Sequence, residues 1–405
     1  MEAFEIVGGR VVLEDRVVEE GTVIAVDGRI VYAGPTEGLG EALYVPGRGR
    51  FSRSACVRYD AAGHWVFPGF IDVHVHGGGG SDTMNATREA LECIARTHGR
   101  HGTTGFLATT MTAAHSDVCR AARAVRAAVD AWPDAPWDGA RPLGLHLEGP
   151  YLNPKRAGAQ DPRWMRSASL AELEELLQIL GDAFRLVTLA PEIEGGMEAL
   201  RFLQGAGVIV SLGHTDATFE EAKAAFRAGA RHVTHAFNGM RGLHHRDPAI
   251  AGAALLEEGA LCEVIADGHH LHPDVIRLLY RVKGDDGLVL ITDAIEATGM
   301  PDGLYQLGGL QVKVEQGVCR LVSTGALAGS VLTMDRAVGY IIETIGLSPV
   351  AAARMAALNP ARQLGLAGRK GSLRPGKDAD IALLDRSFRA VDTWVEGRRL
   401  SRPSA

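Results

Sequence analysis

From Phe4 to about Arg58 apolar and polar residues alternate in short runs separated by turn signals, the period-two pattern of half-buried strands. Between residues 21–26 and 29–33, Asp27-Gly28 supplies the positive φ angles of a two-residue hairpin turn, so an antiparallel pair is expected there. The texture then changes: continuous apolar runs of strand length alternate with Ala-, Leu- and Glu-rich stretches of helical length. Strands are expected over residues 67–75, 104–109, 143–148, 186–190, 208–212, 232–236, 261–266 and 288–292. Helices are expected between them, including 86–100, 116–130, 170–180, 196–205, 219–229 and 273–282. Thr218-x-x-Glu221 has the form of a capping box and opens one of these helices. Eight strands with intervening helices is the count of a closed β/α barrel, whereas an open doubly wound sheet shows fewer.

Beyond the eighth strand, residues 311–321 read as an inserted hairpin, followed by helices around 334–345 and 350–358. Strand texture returns in 380–385 and 393–400. Both chain ends are therefore β, and the expectation is an α/β protein: a (β/α)8 TIM-type barrel over residues 67–368, with a small β-sandwich domain assembled from 1–66 and 369–405.

With 405 residues, 46% hydrophobic and 22% charged, the chain is long enough for a large barrel with an appendage and has an ordinary globular composition. A formal net charge of -7 and no Lys/Arg-rich run argue against nucleic acid as a partner. No apolar run approaches the roughly 18 residues that span a bilayer, so no membrane partner is expected. Met1-Glu2-Ala3-Phe4-Glu5 lacks the basic and apolar regions of a signal peptide. The five cysteines are odd in number, dispersed and without a Cys-x-x-Cys pair, which fits a reducing compartment, and a cytoplasmic location is expected.

The candidate chemistry lies where apolar runs stop. In Phe70-Ile71-Asp72-Val73-His74-Val75-His76 strand alternation puts His74 and His76 on one face, half of a metal site. Glu148, His214, His235 and Asp293 follow at later strand ends, and a barrel gathers such positions around one cavity. Four imidazoles and two carboxylates without a thiolate suit a divalent zinc, iron, cobalt or manganese ion. A carboxylate after the eighth strand, Asp293, is placed to take a proton from an activated water and deliver it to a leaving group, so hydrolysis is the expected chemistry.

The blocks Pro68-Gly69-Phe70-Ile71-Asp72-Val73-His74-Val75-His76-Gly77, His146-Leu147-Glu148-Gly149-Pro150-Tyr151-Leu152-Asn153, Gly213-His214-Thr215, Thr234-His235-Ala236-Phe237-Asn238-Gly239-Met240, Ile265-Ala266-Asp267-Gly268-His269-His270 and Thr292-Asp293-Ala294 carry a resemblance over nearly the whole chain. The sequence resembles the metal-dependent amidohydrolases, and within them the family that deacetylates N-acetylglucosamine 6-phosphate. That resemblance implies Glu148, His214 and His235 as ligands of the principal ion. His74 and His76 would serve a second one bridged by Glu148, giving one or two ions per subunit, and Asp293 would be the general base that becomes the general acid. It also implies contacts to a phosphorylated amino sugar from Ala159, Gln160, Asn238, Gly239, Asp267, His270, Leu327, Ala328 and Gly329. Gln160 stands where some relatives carry a histidine. Arg246, with His270, would take the phosphate, reaching the neighbouring active site of a homodimer. The alternative left open is an amidohydrolase acting on another N-acyl amino sugar or a cyclic amide.

Overall fold

The computed structural model describes residues 3–401. Residues 1–2 and 402–405, which the expectation for the terminal domain also covers, lie outside the described residues. Eight parallel strands follow one another around the barrel in chain order: Phe70–Val75, Thr103–Thr110, Arg141–Glu148, Phe184–Leu189, Ile209–Leu212, His232–Val233, Leu261–Ile265 and Leu288–Ile291. The first and last meet at a seam just past their ends. There the Asp293 N–H donates to the His74 carbonyl at 2.9 Å and the His76 N–H to the Ala294 carbonyl at 2.9 Å. Thr292 Oγ1 donates to the buried Asp72 carboxylate at 2.6 Å across the same seam.

The outer helices form where an apolar stripe and a cap coincide. In Leu170–Leu180 the Ser169 hydroxyl accepts from the Glu172 N–H, and Leu173, Leu176 and Leu180 recur at helical spacing and are buried. Each such leucine contributes about 1.5–3 kcal/mol by leaving water. Phe219–Arg227 starts at the Thr218/Glu221 capping box read from the sequence. Helix Ala249–Leu256 was not expected; it is apolar on nearly every side, so it shows no amphipathic period.

The apolar run 67–75 is two strands rather than one. Trp65–Pro68 belongs to a separate sheet, Gly69 intervenes, and Phe70–Val75 opens the barrel. That separate sheet joins both chain ends: Trp65–Pro68 lies between Ala3–Val12 on one side and Ile381–Leu384 on the other. Val17–Val26 and Arg29–Pro35 extend it one way with the expected Asp27-Gly28 turn, and Ala390–Val395 the other. Phe4 stacks on Trp394 at 5.6 Å in its core. A charged knot fastens it to the barrel: Glu396 accepts from Trp132 Nε1 at 3.0 Å, Arg141 Nη1 at 2.5 Å and the buried Lys370 Nζ at 3.1 Å.

Where a hairpin was expected after the eighth strand, three strands stand: Gly303–Leu307, Leu310–Glu315 and Val318–Leu321. Their apolar face, Leu307, Val312, Val314, Cys319 and Leu321, packs on Met111, Ile295 and Ala328 beside the mouth of the barrel.

Candidate metal centre and catalytic cavity

Glu148 is the last residue of the third strand, and His214, His235 and Asp293 each follow a strand end by two residues. These three have φ of 46°, 27° and 50°, a left-handed backbone that costs a residue with a side chain about 1–3 kcal/mol. Hydrogen bonds hold the strained turns: Asn153 N–H donates to the His214 carbonyl at 2.9 Å, and the seam bond to His74 holds Asp293.

Three of the rings are fixed through Nδ1. His214 Nδ1–H donates to the Arg156 carbonyl at 2.8 Å, His235 Nδ1–H to the Asn238 carbonyl at 3.1 Å, and His74 Nδ1–H to Glu263 Oε2 at 3.0 Å. Their Nε2 lone pairs therefore point inward. His214 Nε2 and His235 Nε2 lie 3.1 Å apart, each 3.2 Å from Glu148 Oε1. Three acceptors converge with no donor among them, an arrangement that a cation relieves. The edges approximate the ~3.3 Å separation of donors around a tetrahedral ion with bonds of about 2.0 Å. The donor set thus fits a borderline divalent ion.

A second group adjoins it. His74 Nε2 and His76 Nε2 are 3.3 Å apart, and Asp293 Oδ1 is 3.4 and 3.3 Å from them. Glu148 touches both groups, with Oε1 toward His214 and His235 and Oε2 3.1 Å from His76 Nε2. His76 Nδ1 is buried without a hydrogen-bond partner among the described residues.

Glu263, fully buried, was not singled out in the sequence. Besides His74 it meets His232 Nε2 at 2.8 Å and accepts from the His235 N–H at 2.9 Å, so it orients two of the inward-facing histidines. The available signal was a lone carboxylate inside the apolar run 261–266, which a barrel strand has to bury. His146 hydrogen-bonds Thr188 at 2.7 Å, and burial, with His74 nearby, keeps it well below the ordinary histidine range.

A cavity of about 220 Å³ opens above these groups. Of the residues expected at the substrate, Ala159, Gln160, Asn238, Gly239, His270, Leu327 and Gly329 line it, together with His76, Glu148, His214, His235 and Asp293. Gly239 has φ of 56°, and a Cβ there would stand 3.0 Å from His214 Nδ1, so a bare backbone is what lets the wall approach the rings. Three expected residues do not line the cavity. Asp267 accepts from His270 Nδ1 at 2.7 Å, acting on the site through that ring. Ala328 is buried in the apolar cluster under the three-stranded insertion. Arg246 is exposed, its Nη1 2.7 Å from His245 Nε2. Gln160, read from the resemblance as a substrate contact, is also bonded to Glu148: Nε2 donates to Oε2 at 2.5 Å, and its own Oε1 accepts from the Thr112 N–H at 2.8 Å. Burial opposes charge on His270, but Asp267 outweighs it and raises the ring above its ordinary value.

Residues 65–400 match the Amidohydrolase family, and the chain belongs to that family. Within it, the chain is 38% identical over 393 residues to the N-acetylglucosamine-6-phosphate deacetylase of Bacillus subtilis (strain 168), covering 96% of this chain and 94% of that one. It is 43% identical over 334 residues to the N-acetylgalactosamine-6-phosphate deacetylase of Escherichia coli O157:H7, 82% of this chain and 87% of that one. A solved structure of a mutant N-acetyl-D-glucosamine-6-phosphate deacetylase from Mycobacterium smegmatis, in complex with N-acetyl-D-glucosamine-6-phosphate, is 32% identical. It aligns with a TM-score of 0.88 over 99% of this chain and 100% of that one.

Proposed function

We propose that this protein hydrolyses N-acetyl-D-glucosamine 6-phosphate to D-glucosamine 6-phosphate and acetate, a step of amino-sugar catabolism. It works with one or two ions of zinc, iron, cobalt or manganese, in the cytoplasm, as a homodimer. The observation that carries the reading is that Glu148 faces both inward-pointing donor groups at the floor of a cavity that also exposes Asp293. Unpaired cysteines throughout support the compartment.

A divalent ion held by Glu148, His214 and His235 supplies Lewis-acid polarisation and lowers the pKa of water. The residues do the rest. Asp293, only 8% exposed, accepts a proton from the attacking water as the C–O bond forms, then returns it to the nitrogen as the C–N bond breaks. Water plus amide becomes carboxylic acid plus amine, one water proton reaching the nitrogen through Asp293 and the other staying on the acid, and the products then ionise to carboxylate and ammonium. His270, its Nδ1 engaged by Asp267, presents its other edge to substrate, and Arg246 of a second copy supplies the phosphate's counter-charge.

A second reading is favoured by the 43% identity to the galactosamine enzyme: the C4 epimer as substrate. Acetate release from both 6-phosphates and from unphosphorylated N-acetylglucosamine separates the cases. The proposal expects the glucosamine phosphate to be turned over fastest. Faster turnover of the epimer replaces it with the second reading, and no acetate from either phosphate by metal-loaded protein refutes both.

A further inference from the structure

Of the three groups of His, Cys, Asp and Glu donors that lie within 4.8 Å of one another among the described residues, two floor the catalytic cavity. The third sits on the outside of the barrel. His115 and Cys119 are one turn apart on the helix His115–Ala131, and Glu175 lies mid-way along the neighbouring helix Leu170–Leu180. We propose that His115, Cys119 and Glu175 form a separate binding site for a zinc-class divalent cation, with one thiolate, one imidazole and one carboxylate donor.

His115 Nε2 is 2.9 Å from Glu175 Oε2 and 3.4 Å from Cys119 Sγ, spacings close to the edges of a tetrahedral site with Zn–S of about 2.3 Å and Zn–N of about 2.0 Å. The surroundings aim these donors. Arg123 Nη2 lies 3.6 Å from Glu175 Oε1, leaving Oε2 turned toward the histidine. Glu172 Oε2 stands 4.0 Å from His115 Nδ1, on the side where a carboxylate orients a ligating ring, and is itself fixed by Tyr151 at 2.8 Å and Arg166 at 3.0 Å. Cys119 is buried, whereas the His115 and Glu175 side chains are 25% and 47% exposed, so a cation enters from solvent and keeps a position for water on that side. Binding of the ion by the Cys119 sulfur displaces the thiol proton to solvent.

Such a site adds a tie between two adjacent helices already linked by the Arg123–Glu175 ion pair and by Arg126 Nη1 donating to the Leu180 carbonyl at 2.9 Å. The first of them begins directly after the loop that carries Met111 into the cavity and holds Gln160 through the Thr112 N–H.

The catalytic donors are all nitrogen and oxygen, so a thiolate-to-cobalt charge-transfer band reports the outer site alone. Full-length protein is stripped with a chelator and reloaded with Co²⁺, and the near-ultraviolet spectrum is recorded for wild type, Cys119→Ser and His115→Ala, each shown to be folded by circular dichroism. His115 is included because, unlike Cys119, it lies outside the buried core. The band is expected in wild type and lost in both variants, and added Zn²⁺ is expected to raise the unfolding midpoint of wild type more than that of either. A band absent from wild type, or surviving either substitution, overturns the site.

Discussion

Gln160 donates its side-chain amide to Oε2 of Glu148 at 2.5 Å, which turns the other carboxylate oxygen toward His214 and His235. The glutamine is itself held by the Thr112 backbone. A carboxylate clamped in this way is pre-set for an ion. Gln160→Leu removes the clamp at similar volume, and metal affinity measured by chelator competition is expected to fall by about 10–100-fold.

On the proposed mechanism Asp293 shuttles the proton, while Glu148, His214 and His235 converge without it. Asp293→Asn is expected to lower acetate release by about a thousandfold and to leave the ion at the Glu148 group in place. Steady-state kinetics paired with elemental analysis checks both parts.

Glu263 meets His74, His232 and the His235 backbone with no exposure to water. Glu263→Gln leaves one of these groups facing an amide N–H, and a broken buried network of this kind costs about 3–5 kcal/mol. Urea unfolding of metal-free protein isolates that cost from any effect on the ion.

Arg246 projects from an exposed loop and lines no part of its own cavity. If it serves the phosphate of a neighbouring copy, Arg246→Ala should reduce kcat/KM for the phosphorylated sugar by about 10–100-fold, the worth of a charge-assisted hydrogen bond. The unphosphorylated sugar should be unaffected. Mixing this variant with Asp293→Asn should restore activity, because each mixed dimer holds one intact site.

Burial opposes the charge on Glu396, but Lys370, Trp132 and Arg141 outweigh it and bring the carboxyl from 4.5 down to about 2. Its folded pKa is the depressed one, so its contribution is fully present above about pH 4.5 and is lost as the pH falls through about 2. The shift corresponds to about 3 kcal/mol. The difference in unfolding free energy between wild type and Glu396→Gln should therefore be large at neutral pH and shrink toward pH 2, as followed by denaturant melts.

Much of the site was legible because a barrel imposes a rule that sequence can express: each apolar run ends at the same rim, and the polar residues within about two positions of that end face the centre. His74, His76, Glu148, His214, His235 and Asp293 all obey it. The rule fails where two structures share one apolar run, and so Trp65–Pro68 and Phe70–Val75 read as a single strand, with only Gly69 to divide them. It fails again at Ala249–Leu256, whose burial on nearly all sides erases the helical period. Gly303–Leu307 is short, and its alternation shows only against its partner. Glu263 and the pairing of Gln160 with Glu148 depend on distances between elements, which spacing along the chain does not encode.

Trp65–Pro68 is flanked by Ala3–Val12 and Ile381–Leu384, strands separated by the whole barrel in sequence. On the ribosome the whole barrel emerges before Ile381–Leu384 does, so the nascent protein carries Trp65–Pro68 with one open edge throughout translation of its catalytic part. Such an edge is a template for pairing with other chains. Chaperone demand during synthesis should therefore concentrate on this seam until Ile381–Leu384 is made and covers it.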